Sequence, residues 1–350
     1  MWLKWFRNRL QDRIPVSAIA EDTRNSGLIA APRLLILSGS KRNQNYYRDR
    51  ELVRQTRSVF LTEAFDFAAY NWDVERIAQD LLGGVPDGIF LNYVSAYSPR
   101  LHGFERLQAP VIGFVGDHYN FTETSPAAVT KQEFFRTLPL AALASAYPHT
   151  NEVVAKALGR PGLPFLYLPW AIDPEVFRDM GKRRCYDIAC MGALTEGKYP
   201  FRRQVRAWLE EQKDLRLFGK KRVKGHGGSD HDGEAFNLAL NKVRSAFTCA
   251  SAMRYTLMKY FEIPASGALL FGETTPELSA LGFRDGEHYV AVTPDDFAER
   301  MLHYLSADGR AEWERIRQTG CHFIRTHHNW KRRIADFLPQ VEALIRSARP

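Results

Sequence analysis

Along the chain, short apolar runs alternate with longer stretches in which apolar residues recur every three or four positions. That is the pattern of a parallel sheet whose strands are joined by crossover helices. RLLILS at 33–38 reads as a strand running into the Gly39-Ser40 turn, and 58–61, 88–93 and 110–115 as further strands, with helices such as 71–82 between them. Segments 142–145 and 165–168 continue the series around a helix at 151–158, and the proline-flanked LPWAIDPEVF reads as a linker. The alternation then restarts with strands at 186–190, 215–218, 245–249 and 268–271. The helices of this second series are expected near 202–212, 236–243 and 257–266, from TTPEL onward, and over 297–305, 310–319 and 330–347. Two β/α domains are predicted, with no internal repeat.

The opening segment follows a different rule. Trp2, Phe6, Leu10 and Ile14 recur every four residues, while Lys4, Arg7, Arg9 and Arg13 take other faces. Such a helix either lies in a lipid headgroup layer or packs its apolar face on the protein's own core. Arginines interrupt every apolar stretch, so it does not read as a signal peptide. The longest apolar stretch, around 138–147, falls short of the roughly 20 residues a membrane span needs.

A chain of 350 residues, 45% hydrophobic and 25% charged, is long enough for about two domains and argues against a disordered or collagen-like protein. The four cysteines are scattered without a CxxC pair, which points to reduced thiols in a cytoplasmic protein. The net charge of +8 favours anionic partners. Nucleic acid is not expected, because the sequence lacks the aromatic-basic interleaving of RNA modules and any helix-turn-helix pattern.

The second half carries a recognisable order of pieces: Phe261, Glu262, Ala265 and Gly267, then Pro276, Glu277 and Leu278, then His327, Trp330 and Arg333. Over roughly 186–338 this resembles the C-terminal domain of GT-B glycosyltransferases of the family 4 clan, in particular the spore-maturation-type branch. LPWAIDPEVF is similar to that superfamily's crossover, whereas the rest of the first half matches in layout only. The resemblance implies an α/β GT-B fold, two Rossmann-like domains facing across a cleft, with a C-terminal helix crossing back. The expected divisions are an amphipathic helix at 1–16, an acceptor domain at 17–172, a nucleotide-sugar donor domain at 173–335 and a final helix at 336–350. It further implies a metal-independent transferase that takes a UDP- or GDP-type donor as substrate, needs no cofactor, and passes the sugar to a glycan, lipid-linked or small-molecule acceptor. The expected location is cytoplasmic, with peripheral contact at the inner membrane face through 1–16 as an option.

Breaking a bond to a diphosphate leaving group requires positive charge and backbone N–H groups where negative charge grows. GALTEGKYPFRR offers Lys198, Arg202 and Arg203 at a helix start, and Gly192 lets backbone approach the ligand. Glu262 stands at the resemblance's carboxylate position, suited to accept both hydroxyls of a ribose. The second glutamate usual in that family, eight residues earlier, is here Arg254, so the stereochemical course, retaining or inverting, stays open. Arg254 or Lys259 would add charge near the diphosphate or a carboxylated sugar. Glu273, Thr274 and Thr275, between a strand and an expected helix, are candidates for donor-sugar hydroxyls or phosphate, with an ordinary helix cap as the alternative.

In the first domain, Asp117 and His118 follow a hydrophobic strand at the end where ligands sit in open α/β sheets, either as general base or as positioning groups. Gly39 and Ser40, with Lys41 and Arg42, are expected beside the same cleft. His226, Asp230, His231 and Asp232 in a glycine-rich loop suit a lid over the donor better than a metal site. A GT-B-shaped scaffold without catalysis is the alternative to an enzyme, resting on the Arg254 departure.

Overall fold

The computed structural model describes residues 31–39, 45–219 and 233–348. The helix expected at 1–16, the Ser40-Lys41-Arg42 stretch and the loop with His226 and His231 lie outside the described residues.

The first series of elements is β1 (Leu34–Leu37), α1 (Tyr46–Arg54), β2 (Val59–Leu61), α2 (Val74–Leu82), β3 (Gly88–Asn92), β4 (Val111–Val115), α3 (Pro126–Thr137), β5 (Leu140–Ser145), α4 (Asn151–Ala157) and β6 (Phe165–Tyr167). They form a six-stranded sheet of order β2-β1-β3-β4-β5-β6, in which β1 pairs parallel to β2 and β3, and β3 to β4. The strands read as unbroken apolar runs because both faces are covered: Leu35, Ile36, Leu37, Ile89 and Leu91 are fully buried. Local chemistry sets the helix ends. Asp73 caps α2 by accepting from Glu75 N at 3.0 Å, and Gly83, at φ 68°, supplies the left-handed residue that stops it.

The second series is β7 (Tyr186–Cys190), α5 (Pro200–Glu211), β8 (Leu217–Phe218), α6 (Gly233–Leu240), β9 (Val243–Thr248), α7 (Lys259–Ala265), β10 (Leu269–Gly272), β11 (Val290–Ala291), α8 (Phe297–Leu305), α9 (Arg310–His327) and α10 (Trp330–Ala348). Its five-stranded sheet has the order β11-β10-β9-β7-β8, all pairs parallel. Ile188, Val205, Leu209, Phe247, Phe271, Met301 and Ile316 fill the core between this sheet and its helices. Each such side chain contributes roughly 1.5–3 kcal/mol when fully buried.

By contact the described chain divides into two compact units. The first runs to Ala144, with Ala157–Pro164 and the residues from Leu338 on; the second comprises Ser145–Lys156 and Phe165–Phe337. In the first unit Ile345 of α10 packs on the start of β3, its Cδ1 3.7 Å from where a Cβ on Gly88 would stand. Among the described residues no helix is long and apolar enough to cross a membrane.

Two expectations about elements are corrected. The helix expected from TTPEL onward is a succession of turns: Leu281 N reaches Glu277 O and Gly282 N reaches Ser279 O, both at 2.9 Å, but no helix continues. The side chains of Thr275 and Glu277 are drawn inward there, to bonds described below, and take the chain off a helical path. The helix expected at 310–319 instead runs on through Gly320 to His327.

Candidate functional site

In a parallel sheet every strand ends on the same edge, and a crevice opens where neighbouring strands send their chains to opposite sides. In the second unit that point lies between β7 and β9, since β8 is reached in one direction from β7 and β9 to β11 in the other. The loops leaving β7, β9 and β10 meet at this edge. Ala252 N donates to Lys198 O at 2.8 Å, tying the β9 loop to the β7 loop. Ala250 N donates to the Glu273 carboxylate at 2.7 Å, and Arg254 Nη2 to Thr274 O at 2.8 Å, tying it to the β10 loop. The structure therefore brings Lys198, Arg254, Glu273 and Thr274 into one loop cluster.

Gly192, at φ 117°, occupies a backbone region nearly closed to other residues. A Cβ there would stand 3.0 Å from Arg202 Nη1 and 3.3 Å from Lys259 Cε, so the glycine lets both cationic side chains close on the β7 loop. Arg202 is 2% exposed and its guanidinium is engaged with Ala193 O at 2.9 Å, Thr248 Oγ1 at 3.3 Å and the Tyr199 ring at 4.2 Å. It thus supports the loop from beneath. Arg203 stays exposed and pairs with Glu196 at 3.2 Å. Lys198 and Lys259 are half-buried at the rim.

Glu262 is buried at 7% exposure on α7, one turn on from Lys259. Burial raises the Glu273 carboxyl above its ordinary value, against the lowering effects of Ala250 N–H, Arg254 and Arg202. Thr274 is exposed, its hydroxyl 3.3 Å from Tyr289 Oη. Thr275 is buried and hydrogen-bonded to Thr256. Burial pushes the Cys190 thiol up to about 12, which leaves it inert beside this site.

One set of contacts, centred on His149, went unread in the sequence. His149 bonds through Nδ1 to the Glu277 carboxylate and through Nε2 to Met253 O at 2.8 Å. Glu277 also accepts from Thr256 Oγ1 at 2.9 Å. Next to them Tyr147 stacks on Tyr255 at 4.0 Å, and Trp170 Nε1 donates to Tyr147 Oη at 2.6 Å. A lone histidine in YPHT gives no periodic or spacing signal; only its contacts reveal it.

In the first unit the corresponding switch point, between β1 and β3, is filled. Arg48 and Asp49 of α1, both fully buried, pair at 2.7 Å. Asn92 donates to Ser38 Oγ at 3.0 Å and to Asp49 at 3.2 Å, and Arg48 lies 3.7 Å from the Phe114 ring centroid. Past β4, Asp117 is exposed and caps a short turn by accepting from Tyr119 N at 3.0 Å, whereas His118 is fully buried. Near them the Lys131 ammonium sits 5.8 Å from the Tyr93 ring and 5.7 Å from the Phe121 ring. Burial lowers Lys131 to about 8, with the Asp117 charge opposing the shift.

Residues 188–339 match the family model described as glycosyl transferase-like. No curated protein sequence matches the chain. Among solved structures, Anabaena Alr3699/HepE in complex with UDP-glucose is 11% identical, with 89% of this chain and 100% of that one covered at a TM-score of 0.59. Sucrose-phosphate synthase from Thermosynechococcus elongatus is 11% identical over 91% and 100%, at 0.55. A glycosyltransferase from Rickettsia africae is 8% identical over 90% and 99%, at 0.53. These findings bear out the α/β fold expected from the sequence and, over residues 188–339, its glycosyl transferase-like character. Residues 188–339 are thus glycosyl transferase-like in sequence, and the described chain has the GT-B fold.

Proposed function

We propose that the protein transfers a sugar from a UDP-type donor, bound at the carboxyl edge of the second sheet, to a glycan, lipid-linked or small-molecule acceptor. The observation that carries this reading is the convergence of the β7, β9 and β10 loops at the β7/β9 switch point, with Gly192 opening the backbone and Lys198, Lys259 and Arg254 supplying positive charge. The UDP-glucose seen in the Anabaena structure of the same fold supports the choice of nucleotide.

In this reading the Glu262 carboxylate accepts both ribose hydroxyls, and the cations with the β7-loop N–H groups take the charge that develops on the departing diphosphate. The task falls to side chains, so transfer proceeds without a metal. Glu273 and Thr274 face the donor sugar. Thr275 and Arg202 act from behind, as the bonds they already make imply. On the acceptor side Asp117 is the accessible group of the Asp117-His118 pair and the better base. The Phe261, Glu262, Ala265, Gly267 run and the Pro276, Glu277, Leu278 run support placement in the family 4 clan, spore-maturation branch.

A panel of UDP-, GDP-, CMP- and TDP-sugars, screened by thermal shift in the presence of EDTA, tests the reading, since a ligand that binds the native state raises the midpoint. Stabilisation by a UDP-sugar is expected. Stabilisation by none of the panel overturns donor binding, and a requirement for added divalent cation overturns metal independence.

A further inference from the structure

The β9 loop, residues 250–256, takes an unusual path: Ser251 and Arg254 both lie in the left-handed region, at φ 61° and 58°. Side chains larger than glycine's rarely adopt it, and single residues stay there only when their surroundings hold them. For Arg254 the holding contact is identifiable. The φ angle of Arg254 is the rotation that follows the peptide plane shared with Met253, and the carbonyl of that plane is the one bound by His149 Nε2, at 2.8 Å. Fixing the Met253 carbonyl fixes the plane from which Arg254 departs.

Proton counting then describes the imidazole. A carbonyl has no proton to give, so Nε2 carries the hydrogen of the Met253 bond. Nδ1 faces a Glu277 oxygen, while the other oxygen of that carboxylate already accepts from Thr256 Oγ1 at 2.9 Å. A neutral imidazole with its hydrogen on Nε2 would turn a lone pair on Nδ1 toward an ionised carboxylate. The contact is attractive only with a proton between the two atoms. The Glu277 side chain is 6% exposed and the His149 side chain 26%, so the bond is shielded from water on its carboxylate side, where a charge-assisted hydrogen bond is stronger than in open solvent. Tyr147 stacked on Tyr255, at 4.0 Å and 7° between planes, holds the next residue of the loop from the same chain segment as His149.

We propose that His149 and Glu277 form a proton-sharing clamp on the Met253 carbonyl, which makes His149 a positioning residue that presents the Arg254 guanidinium to the donor's diphosphate. The last clause rests on the function proposed above; the clamp itself does not.

The test uses the full-length chain with 15N-labelled histidine and 13C-methyl methionine. In the wild type, both ring nitrogens of His149, assigned through His149→Ala, are expected to carry a hydrogen while the contact with Glu277 is made. Glu277→Gln is expected to leave one, as the amide takes over the contact, and to shift the Met253 methyl resonance. A His149 ring with one hydrogen in the wild type, or His149 and Met253 signals unchanged by Glu277→Gln, overturns the clamp.

Positioning is read from a double-mutant cycle on UDP-glucose binding. His149→Ala weakens binding about tenfold in the wild type, and has no further effect in an Arg254→Met background. An equal loss in both backgrounds overturns the role assigned through Arg254. Should His149→Ala not fold, His149→Gln, whose amide reaches one of the two acceptors, is carried through the same cycle. A wild type that binds no nucleoside diphosphate sugar removes the proposed function and with it the diphosphate role, while the nitrogen and methyl signals still decide the clamp.

Discussion

Gly320 stands in the middle of the 18-residue helix α9, where glycine costs about 1 kcal/mol relative to alanine. Its neighbour explains it. A Cβ at this position would fall 2.3 Å from the His288 carbonyl oxygen and 3.2 Å from its carbon. Non-bonded atoms sit at ~3.5 Å at their best, so Gly320→Ala requires the helix or the 284–290 segment to give by about 1 Å. The obstacle is backbone, not the tip of a flexible side chain. The His288 ring is stacked on Phe323 at 3.9 Å and accepts from Arg284 N at 3.1 Å, and β11 begins two residues later, so the segment is held on both sides. Overpacking costs typically ~1–3 kcal/mol, and an obstacle made of backbone puts this case at about 2–3 kcal/mol. Set against the helix-propensity gain of about 1 kcal/mol, a net loss of ~1–2 kcal/mol is expected. For a unit of this size that lowers the thermal midpoint by roughly 2–8 °C. Calorimetry of Gly320→Ala beside Gln318→Ala, an exposed site on the same helix, measures it. A Gly320→Ala protein as stable as the wild type, or more so, refutes the close approach.

Three further outcomes follow from the buried and perturbed groups. Asp49→Ala strands the fully buried Arg48 and is expected to cost about 3–5 kcal/mol in urea unfolding, whereas a loss under 1 kcal/mol means the pair is solvated. Burial, aided by the Arg333 charge, lowers His328 to about 3 from its ordinary 6.5. Below 6.5 the unfolded chain therefore takes up a proton that the folded chain refuses, and stability falls as the pH drops toward 3, at ~1.4 kcal/mol per unit from this residue. His328→Gln, which keeps an acceptor for Arg333, should flatten the pH 6.5 to 4.5 slope relative to wild type; parallel slopes contradict the assignment. Lys131 should be acylated with a midpoint near pH 8, ahead of ordinary lysines, and Asp117→Asn should move that midpoint lower; peptide mass mapping that finds an ordinary lysine profile removes its burial beside Asp117.

The strands were legible because both faces of a parallel sheet are covered, so 33–38, 88–93 and 186–190 stand out as apolar runs. The helix α1 was not, since YYRDRELVR looks like a solvated segment and its charges are in fact the buried pair at the first sheet's switch point. The helix expected over 310–319 stops short of Gly320 while α9 runs on to His327, because propensity cannot see a carbonyl packed against the glycine. At the candidate site, the glycine and the charged residues of the β7, β9 and β10 loops were visible as motif and position. Their division of labour was not: Arg202 turns under the loop because Ala193 O and the Tyr199 ring receive it, which no helical pattern announces. His149 enters only through contacts with residues more than a hundred positions away.

Isothermal titration of UDP-glucose into the wild type and into Glu262→Ala, both in EDTA, tests the donor site most directly. A carboxylate accepting two ribose hydroxyls leads to saturable binding by the wild type and about 10- to 100-fold weaker binding by the variant. Equal affinity in the two proteins contradicts the place given to Glu262, and heat-silent mixing with the wild type, without competition by any other nucleoside diphosphate sugar, contradicts the donor site as a whole.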